Sequence, residues 1–467
     1  MMRSLFSGVS GLKSHQTRMD TIGNNIANVN TTGFKSSRTT FADTLSQTLT
    51  GASSPNDNIG GTNPKQIGLG TGVASIDTIF TDGSVQSTGK NTDLCLSGNG
   101  LFVVKKGSET YYTRDGAFEF DAKGNYVLPS SGLYVQGWTA TNGSLNTSGA
   151  AGNITIPAGK SMASSPTKVA TYTNNLDAST SLITGITYTN ADGTTGTGDI
   201  TVDGTTVVSA TVTLADGTKQ TVTSGAYKVG HGIPVTTTAT VYDSLGTAHK
   251  IPVLLEKSGS NTWTVTLKDG QTTATIAESD GTTTTVSLAG GTTLPFTTKG
   301  AYDSKTGTNG ILNITYGNGA SGQAVTLDYT ALTQYAGNST ANASTDGNAA
   351  GTLSSVSIDS TGTITGTYTN GVKQTEAQVA VAQFNNASGL TKTGNSLYQQ
   401  SNNSGTANVK TASSLGVSIT PSALEMSNVD IANEFSDMII TQRGFQSNSK
   451  IITVGDEMLE TLIGMKR

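Results

Sequence analysis

Both ends of the chain carry apolar residues at alternating three- and four-residue steps, and this pattern constrains the fold more than anything between them. In the opening stretch Leu5, Leu12, Met19 and Ile26 hold one seam position and Ile22 and Val29 the other, with Gly8 and His15 filling in. In the closing stretch the series is Ile431, Phe435, Met438, Phe445, Ile452, Leu459 and Ile463, with Gln442, Ser449 and Asp456 in the remaining positions. Such spacing lays a narrow stripe along one side of a helix, too narrow for a globular core and suited to packing on another helix. Two terminal helices that pair, with the middle of the chain extruded between them, are therefore expected. The spacing predicts a first helix from Ser4, as its cap, to about Asn28, ended by Asn30-Thr31-Thr32-Gly33. After Pro421, Ser422 with Glu425 and Ser427 with Asp430 have the spacing of helix-opening boxes. Asp430, Glu434 and Asp437 early in that helix, with Lys466 and Arg467 at its end, complement the helix dipole.

The middle reads as β-structure. At 467 residues there is room for roughly three domains. With 57 glycines, 13% charged and 6% aromatic residues, several thin β-domains fit better than one large core. Residues 35–72, with Pro55 and Pro64, lack a period and are expected, with 413–423, to form a connecting segment. Residues 73–145 with 350–412 alternate and carry the turn signals Asp82-Gly83, Asn99-Gly100 and Asp115-Gly116, which suggests an inner β-domain. Residues 146–349 are richer in Thr and Gly, with turns at Asp192-Gly193, Asp203-Gly204, Asp216-Gly217 and Asp280-Gly281. They are expected to form one or more outer β-domains inserted in the inner one, with 181–232 a candidate extra subdomain. The expected fold class is multi-domain and mainly β: paired terminal α-helices (1–34 with 424–467, a coiled-coil-like inner domain) carrying nested all-β domains.

Few groups invite chemistry. The net charge of -5 comes without clustered Lys and Arg, so nucleic acid is not an expected partner. No window approaches the roughly 18 apolar residues of a membrane span, and no apolar run follows Arg3 as in a cleaved secretory signal. Those facts point to the cytoplasm, whereas the Thr-rich middle resembles extracellular β-proteins. His15, His231 and His249 lack a metal-ligand rhythm; His15 is expected packed or water-facing on its seam, the other two solvated. Asp115 beside Arg114 reads as a turn residue with a charged neighbour. Gly68-Leu69-Gly70-Thr71-Gly72 lacks the Lys-Ser/Thr ending of a phosphate loop. No catalytic, metal or cofactor-binding residue is nominated, and an enzyme is not expected. Cys95, between Leu94 and Leu96, is expected as a small buried hydrophobe in a strand.

Two long stretches carry a resemblance. The head LFSGVSGLKSHQTRMDTIGNNIANVNTTGFKSSR, with Asn24, Asn25 and Asn28 and then Gly33, Phe34 and Lys35, resembles the N-terminal signature of the bacterial flagellar rod–hook axial family. The tail SNVDIANEFSDMIITQRGFQSNSKIITVGDEMLETLIGMKR resembles its C-terminal signature. STGKNTDLCLSGNGLFVV and LTKTGNSLYQQSNNSG agree, while VYDSLGTAHKIPVLLEKSGSNTW and the chain length resemble hook-type rather than rod-type members. The stretch Ser181 to Gly232 has no counterpart in the pattern. The resemblance implies a structural subunit exported unfolded, without a cleaved signal, through the flagellar type III export apparatus. It implies polymerisation beneath a hook cap into a curved hollow tube outside the cell, a universal joint that passes motor torque to the filament. The implied partners are further copies of the chain, the distal rod, the hook cap and the hook–filament junction proteins. Some family members join subunits by a lysine–cysteine cross-link; Cys95 is the one candidate here, and its inner-β context speaks against it. Alternatives are another axial protein, distal rod or hook-like, and, from a different class, a surface adhesin-type β-protein.

Overall fold

A computed structural model gives two compact units, one formed by Met1–Lys160, Leu353–Tyr368 and Lys373–Arg467, the other by Ser161–Thr352 and Thr369–Val372. The structure describes residues 2–55, 60–279 and 281–465; Asp280 of one expected turn and the helix-ending Lys466 and Arg467 lie outside them.

In the first unit α1 (Met2–Ala27) and α2 (Ile431–Gly464) pair. Ser4 is not the cap, since the helix is already under way at Met2. Neither expected box opens α2. Ser422 sits at φ +57°, Ala423–Glu425 is a strand, and Asp430 itself caps the helix by accepting from the amides of Ala432 (2.9 Å) and Asn433 (3.3 Å). The helices run antiparallel: Leu5 lies against Gly455, Gly11 against Asn448 and His15 against Gly444, and Arg18 reaches Asp437 at 3.1 Å. Glycine sets how closely they approach. A Cβ on Gly444 would stand 2.6 Å from the His15 ring, and one on Gly455 2.9 Å from Leu5.

Residues 35–72 are not an irregular connection. β1 (Ser37–Asp43) pairs with β4 (Thr71–Thr78), and β2 (Ser46–Thr50) with β3 (Lys65–Gly68), all antiparallel. This arm escapes a periodicity reading because β2 and β3 are exposed on both faces, so no apolar alternation was needed to build them. Beyond it come β5 (Val85–Ser87) and β6 (Leu94–Ser97), each completed by a strand from near the other end of the chain: Ala423–Glu425 on β5 and Ser418–Pro421 on β6.

The β-body of this unit buries both faces of its central strands. Along Leu101–Lys106, Phe102 and Val104 enter one core with Leu94, Val135 and Val379, while Leu101 and Val103 enter another with Trp138 and Phe384. That is why LFVV and AQVAVAQF are continuous apolar runs rather than alternating ones.

In the second unit a six-stranded and a four-stranded sheet share a core around Trp263, Tyr172, Tyr329 and Leu255. Its strands Val169–Asp177 and Gln323–Tyr335 pair in parallel. Residues 183–222 form a separate four-stranded sheet over their own core of Ile186, Val207, Val212 and Val222. The chain leaves for it at Leu182 and returns at Gly232, and these two residues bridge each other. Its turns are local constructions: the Asp203 carboxylate accepts from the amides of Thr205 (2.9 Å) and Thr206 (2.8 Å), which hold its pKa well below the usual range.

Candidate functional site: the clasp of the termini and the open face of the last helix

Head and tail meet in a buried knot. Gly33 turns the chain at φ +63°, where a Cβ would lie 2.5 Å from the Asp115 amide, so both conformation and space demand glycine. The turn delivers Lys35 into the interior. Its Nζ lies 2.6 Å from Glu425 Oε1 and donates to the Thr81 carbonyl. Arg114 meets the other oxygen of the same carboxylate at 3.1 Å and donates to the carbonyls of Leu96 (3.2 Å) and Gly98. The Gly83 amide gives Glu425 Oε1 a second donor at 2.8 Å, the third on the carboxylate. The side chains of Lys35, Arg114 and Glu425 are at most 1% exposed. Burial is the largest influence on Lys35 and lowers its pKa; Glu425 opposes that. One carboxylate thus holds together a cation from the head and another from the β-body.

Two asparagines extend the knot. Asn25 accepts from the Ser37 amide and donates to Ser37 O and to Glu434 of α2, each at 2.9 Å. Asn428 accepts from the Ser36 amide at 2.8 Å and donates to Ile79 O at 2.9 Å. Of the other signature residues, Asn28 donates to Asn24 O at the end of α1, Asn24 itself is exposed, and Phe34 is half-buried with Lys392 Nζ 5.0 Å from its ring centroid. Sequence reasoning missed Glu425, read as a capping partner, and Arg114, read as a turn's neighbour. It did not single out Asn428. A lone charge beside a turn looks the same in sequence whether solvated or buried. Only the apolar strands around Arg114 offered a signal.

The seams divide in two. On α1, Ile22 is buried and Leu5, Leu12, Met19 and Ile26 are half-buried, as is Val29 in the turn just past the helix. On α2, Met438, Ile452 and Leu459 are half-buried, with Thr441 and Gly455 wholly so, whereas Ile431, Phe435, Phe445 and Ile463 are 42–70% exposed. Polar and small residues therefore make much of the α2 contact with α1. Ile439, Ile440, Ile451, Met458 and Leu462 join the exposed set, so α2 leaves apolar side chains open to solvent along its length, around more than one side of the helix. Of the polar seam positions, Gln442 and Asp456 are exposed and Ser449 is half-buried.

The remaining candidates are structural. His249 is not solvated: its ring is buried, with Nε2 3.2 Å from Asp243 and Nδ1 2.9 Å from Glu278 and 3.3 Å from the Thr284 hydroxyl. A hydroxyl, an imidazole and a carboxylate in a row would suggest nucleophilic chemistry in an open cleft. Here Thr284 and Asp243 are fully buried and Glu278 competes for the same nitrogen. His231 is only partly exposed and lies 3.3 Å from the buried Glu256. Both histidines sit where turns close over strand ends, a location that Thr-rich sequence does not reveal. His15 packs edge-on to Phe41. Cys95 is buried on β6, and burial, ahead of the nearby Glu425 charge, pushes its thiol pKa up to about 11. Among the described residues no group of three or more His, Cys, Asp or Glu could hold a metal ion, and no helix is long and apolar enough to cross a membrane.

Four family descriptions match along the chain. Residues 5–35 match the flagella basal body rod protein, 95–173 the flagellar hook protein FlgE/F/G D1 domain, 233–348 the flagellar basal body protein FlaE D2 domain, and 420–465 the flagellar basal body rod FlgEFG protein C-terminal region. The first and last of these contain both halves of the clasp, Lys35 and Glu425. The segment 181–232 lies between two matches and within neither. Over 100% of both chains, the sequence is 38% identical to the flagellar hook protein FlgE of Treponema pallidum and 37% identical to that of Borreliella burgdorferi. The flagellar basal-body rod protein FlgG of Bacillus subtilis also aligns over 100% of both chains, at 28% identity. Hook-type relatives thus stand ahead of this rod-type one over the same span, and nothing favours the adhesin alternative. With its head and tail signatures folded against each other and relatives matched from end to end, the chain belongs to the flagellar hook protein family.

Proposed function

We propose that the protein is the subunit of a curved hollow hook that works as a universal joint, transmitting motor torque to the filament. The observation that carries this reading is the set of apolar side chains along α2 that are still exposed after α1 has paired. Fully burying one large apolar side chain is worth about 1.5–3 kcal/mol. Half-exposed residues repeated along nine turns of helix therefore favour association strongly. Rigid helices suit the transmission of twist, and Thr-rich outer strands offer shallow polar surfaces that slide at small cost as the tube bends. The expected neighbours besides further copies are the distal rod, the hook cap and the hook–filament junction proteins. Delivery is assigned to the flagellar export apparatus, without a cleaved signal, and the site of action to the outside of the cell.

Electron microscopy of purified protein with and without residues 431–467 tests this; that truncation spares Glu425 and so keeps the Lys35–Glu425–Arg114 knot, giving up the Asn25–Glu434 hydrogen bond. The full chain is expected to form hollow tubes and the shortened one to remain monomeric. Tubes formed by the shortened chain would overturn the assembly role of α2. Loss of the gene is expected to leave motors with rods but no hooks.

A further inference from the structure

Beside the clasp lies a cavity of about 530 Å³ whose lining includes Phe34, Asp115, Lys392, Leu397 and Tyr398. Asp115 is 9% exposed. One of its oxygens accepts from the Thr32 hydroxyl (3.2 Å) and the Ala117 amide (3.1 Å). No Lys, Arg or His among the described residues comes within 4 Å of this carboxylate. Its neighbour Arg114 is committed to Glu425 and Asp82, and Lys392 gives its ammonium to Lys35 O and Ser37 Oγ, each at 3.0 Å. Asp93, also buried, adds a like charge; desolvation first and then that charge raise the Asp115 pKa against its hydrogen bonds. A carboxylate taken out of water without a cation destabilises the fold that buries it.

We propose that the cavity is a socket for a lysine or arginine side chain of a second copy of the chain, with Asp115 as counter-ion. The inference rests on the polymer-subunit reading above. The apolar walls of Phe34, Leu397 and Tyr398 suit the methylene stem of such a side chain, whose charged head then reaches the carboxylate. Charge complementarity selects the partner: the buried group is an anion, and the one cation on the cavity wall, Lys392, gives its ammonium to Lys35 O and Ser37 Oγ instead. Pairing at the moment of association turns a cost carried by the monomer into a gain realised only in the polymer.

The test compares the critical concentration for tube formation with the melting temperature of the monomer. Asp115→Asn preserves the oxygen that Thr32 and Ala117 use and removes the charge. It is expected to raise the critical concentration at least about fivefold while the monomer melts at the same or a higher temperature. Ser130→Lys, on the cavity wall, supplies a cation from within; it is expected to raise the melting temperature and also to hinder assembly. Arginine amide, added as a probe, is expected to hinder wild-type assembly more than that of the Asp115→Asn protein. Unchanged assembly in both variants overturns the socket. So does weaker assembly of Asp115→Asn matched by a lower melting temperature, which would mean a structural role within the monomer. If the wild-type chain forms no tubes, the polymer reading and the socket fall together; if it does and the variants match it, only the socket falls.

Discussion

The Lys35–Glu425–Arg114 knot is held by one anion between two cations, and removing each member has a different consequence. Glu425→Ala leaves buried Lys35 without a counter-ion and Arg114 with only the half-exposed Asp82, and is expected to cost about 3–5 kcal/mol of unfolding free energy in urea titrations. Lys35→Met leaves the Arg114–Glu425 pair whole and should cost clearly less. Equal losses would mean that the carboxylate is not the centre of the knot. In the second unit Asp243 gives a pH dependence. Burial opposes its ionisation, but donors from Asn318, His249 and the Thr247 and Leu245 amides hold its pKa down at about 2. A folded pKa below the unfolded value of about 3.9 contributes stability above that value, lost as pH falls through the folded pKa. Thermal melts between pH 5 and 2 should therefore show declining stability, with a shallower slope in Asp243→Asn. At this scale the sequence was only partly legible. Gly33 and Lys35 stood in a recognisable signature, but what they touch did not, because Glu425 lies 390 positions away from Lys35.

Elements were easier to read where burial is one-sided. The two helices follow from three-and-four spacing. Which apolar residues turn inward does not, because glycine, threonine and asparagine occupy the close contacts between α1 and α2, positions that an apolar template skips. The arm built from β1 to β4 was illegible for the opposite reason: β2 and β3 at its tip are exposed on both faces, and hydrogen bonding rather than burial defines them. The glycine contacts make a direct prediction. Gly444→Val places side-chain atoms where a Cβ alone would meet His15 at 2.6 Å. It should force the helices apart, lowering helical circular dichroism at temperatures where the β-bodies remain folded. A variant with full helicity would show that His15 can swing clear.

For the whole molecule, composition and turn signals pointed to nested β-structure, and the paired ends implied that the first and last segments share one unit. The internal boundaries could not be read to the residue, since Thr-rich strands on either side of them look alike. The segment 183–222 has its own sheet and core, and Leu182 and Gly232 already touch. Replacing 183–231 by a short glycine linker should therefore leave the surrounding core folded, as read by the fluorescence of the buried Trp263. A red-shifted emission would show that the segment supports that core.

The 390-residue separation of Lys35 from Glu425 has one more consequence. A chain broken off before position 423 lacks the Glu425 carboxylate that receives Lys35 and Arg114, and the strand that completes β5. Its amino-terminal helix is present in full, yet the seat that fixes the following turn stays empty. Only a polypeptide that reaches position 425 can close the clasp.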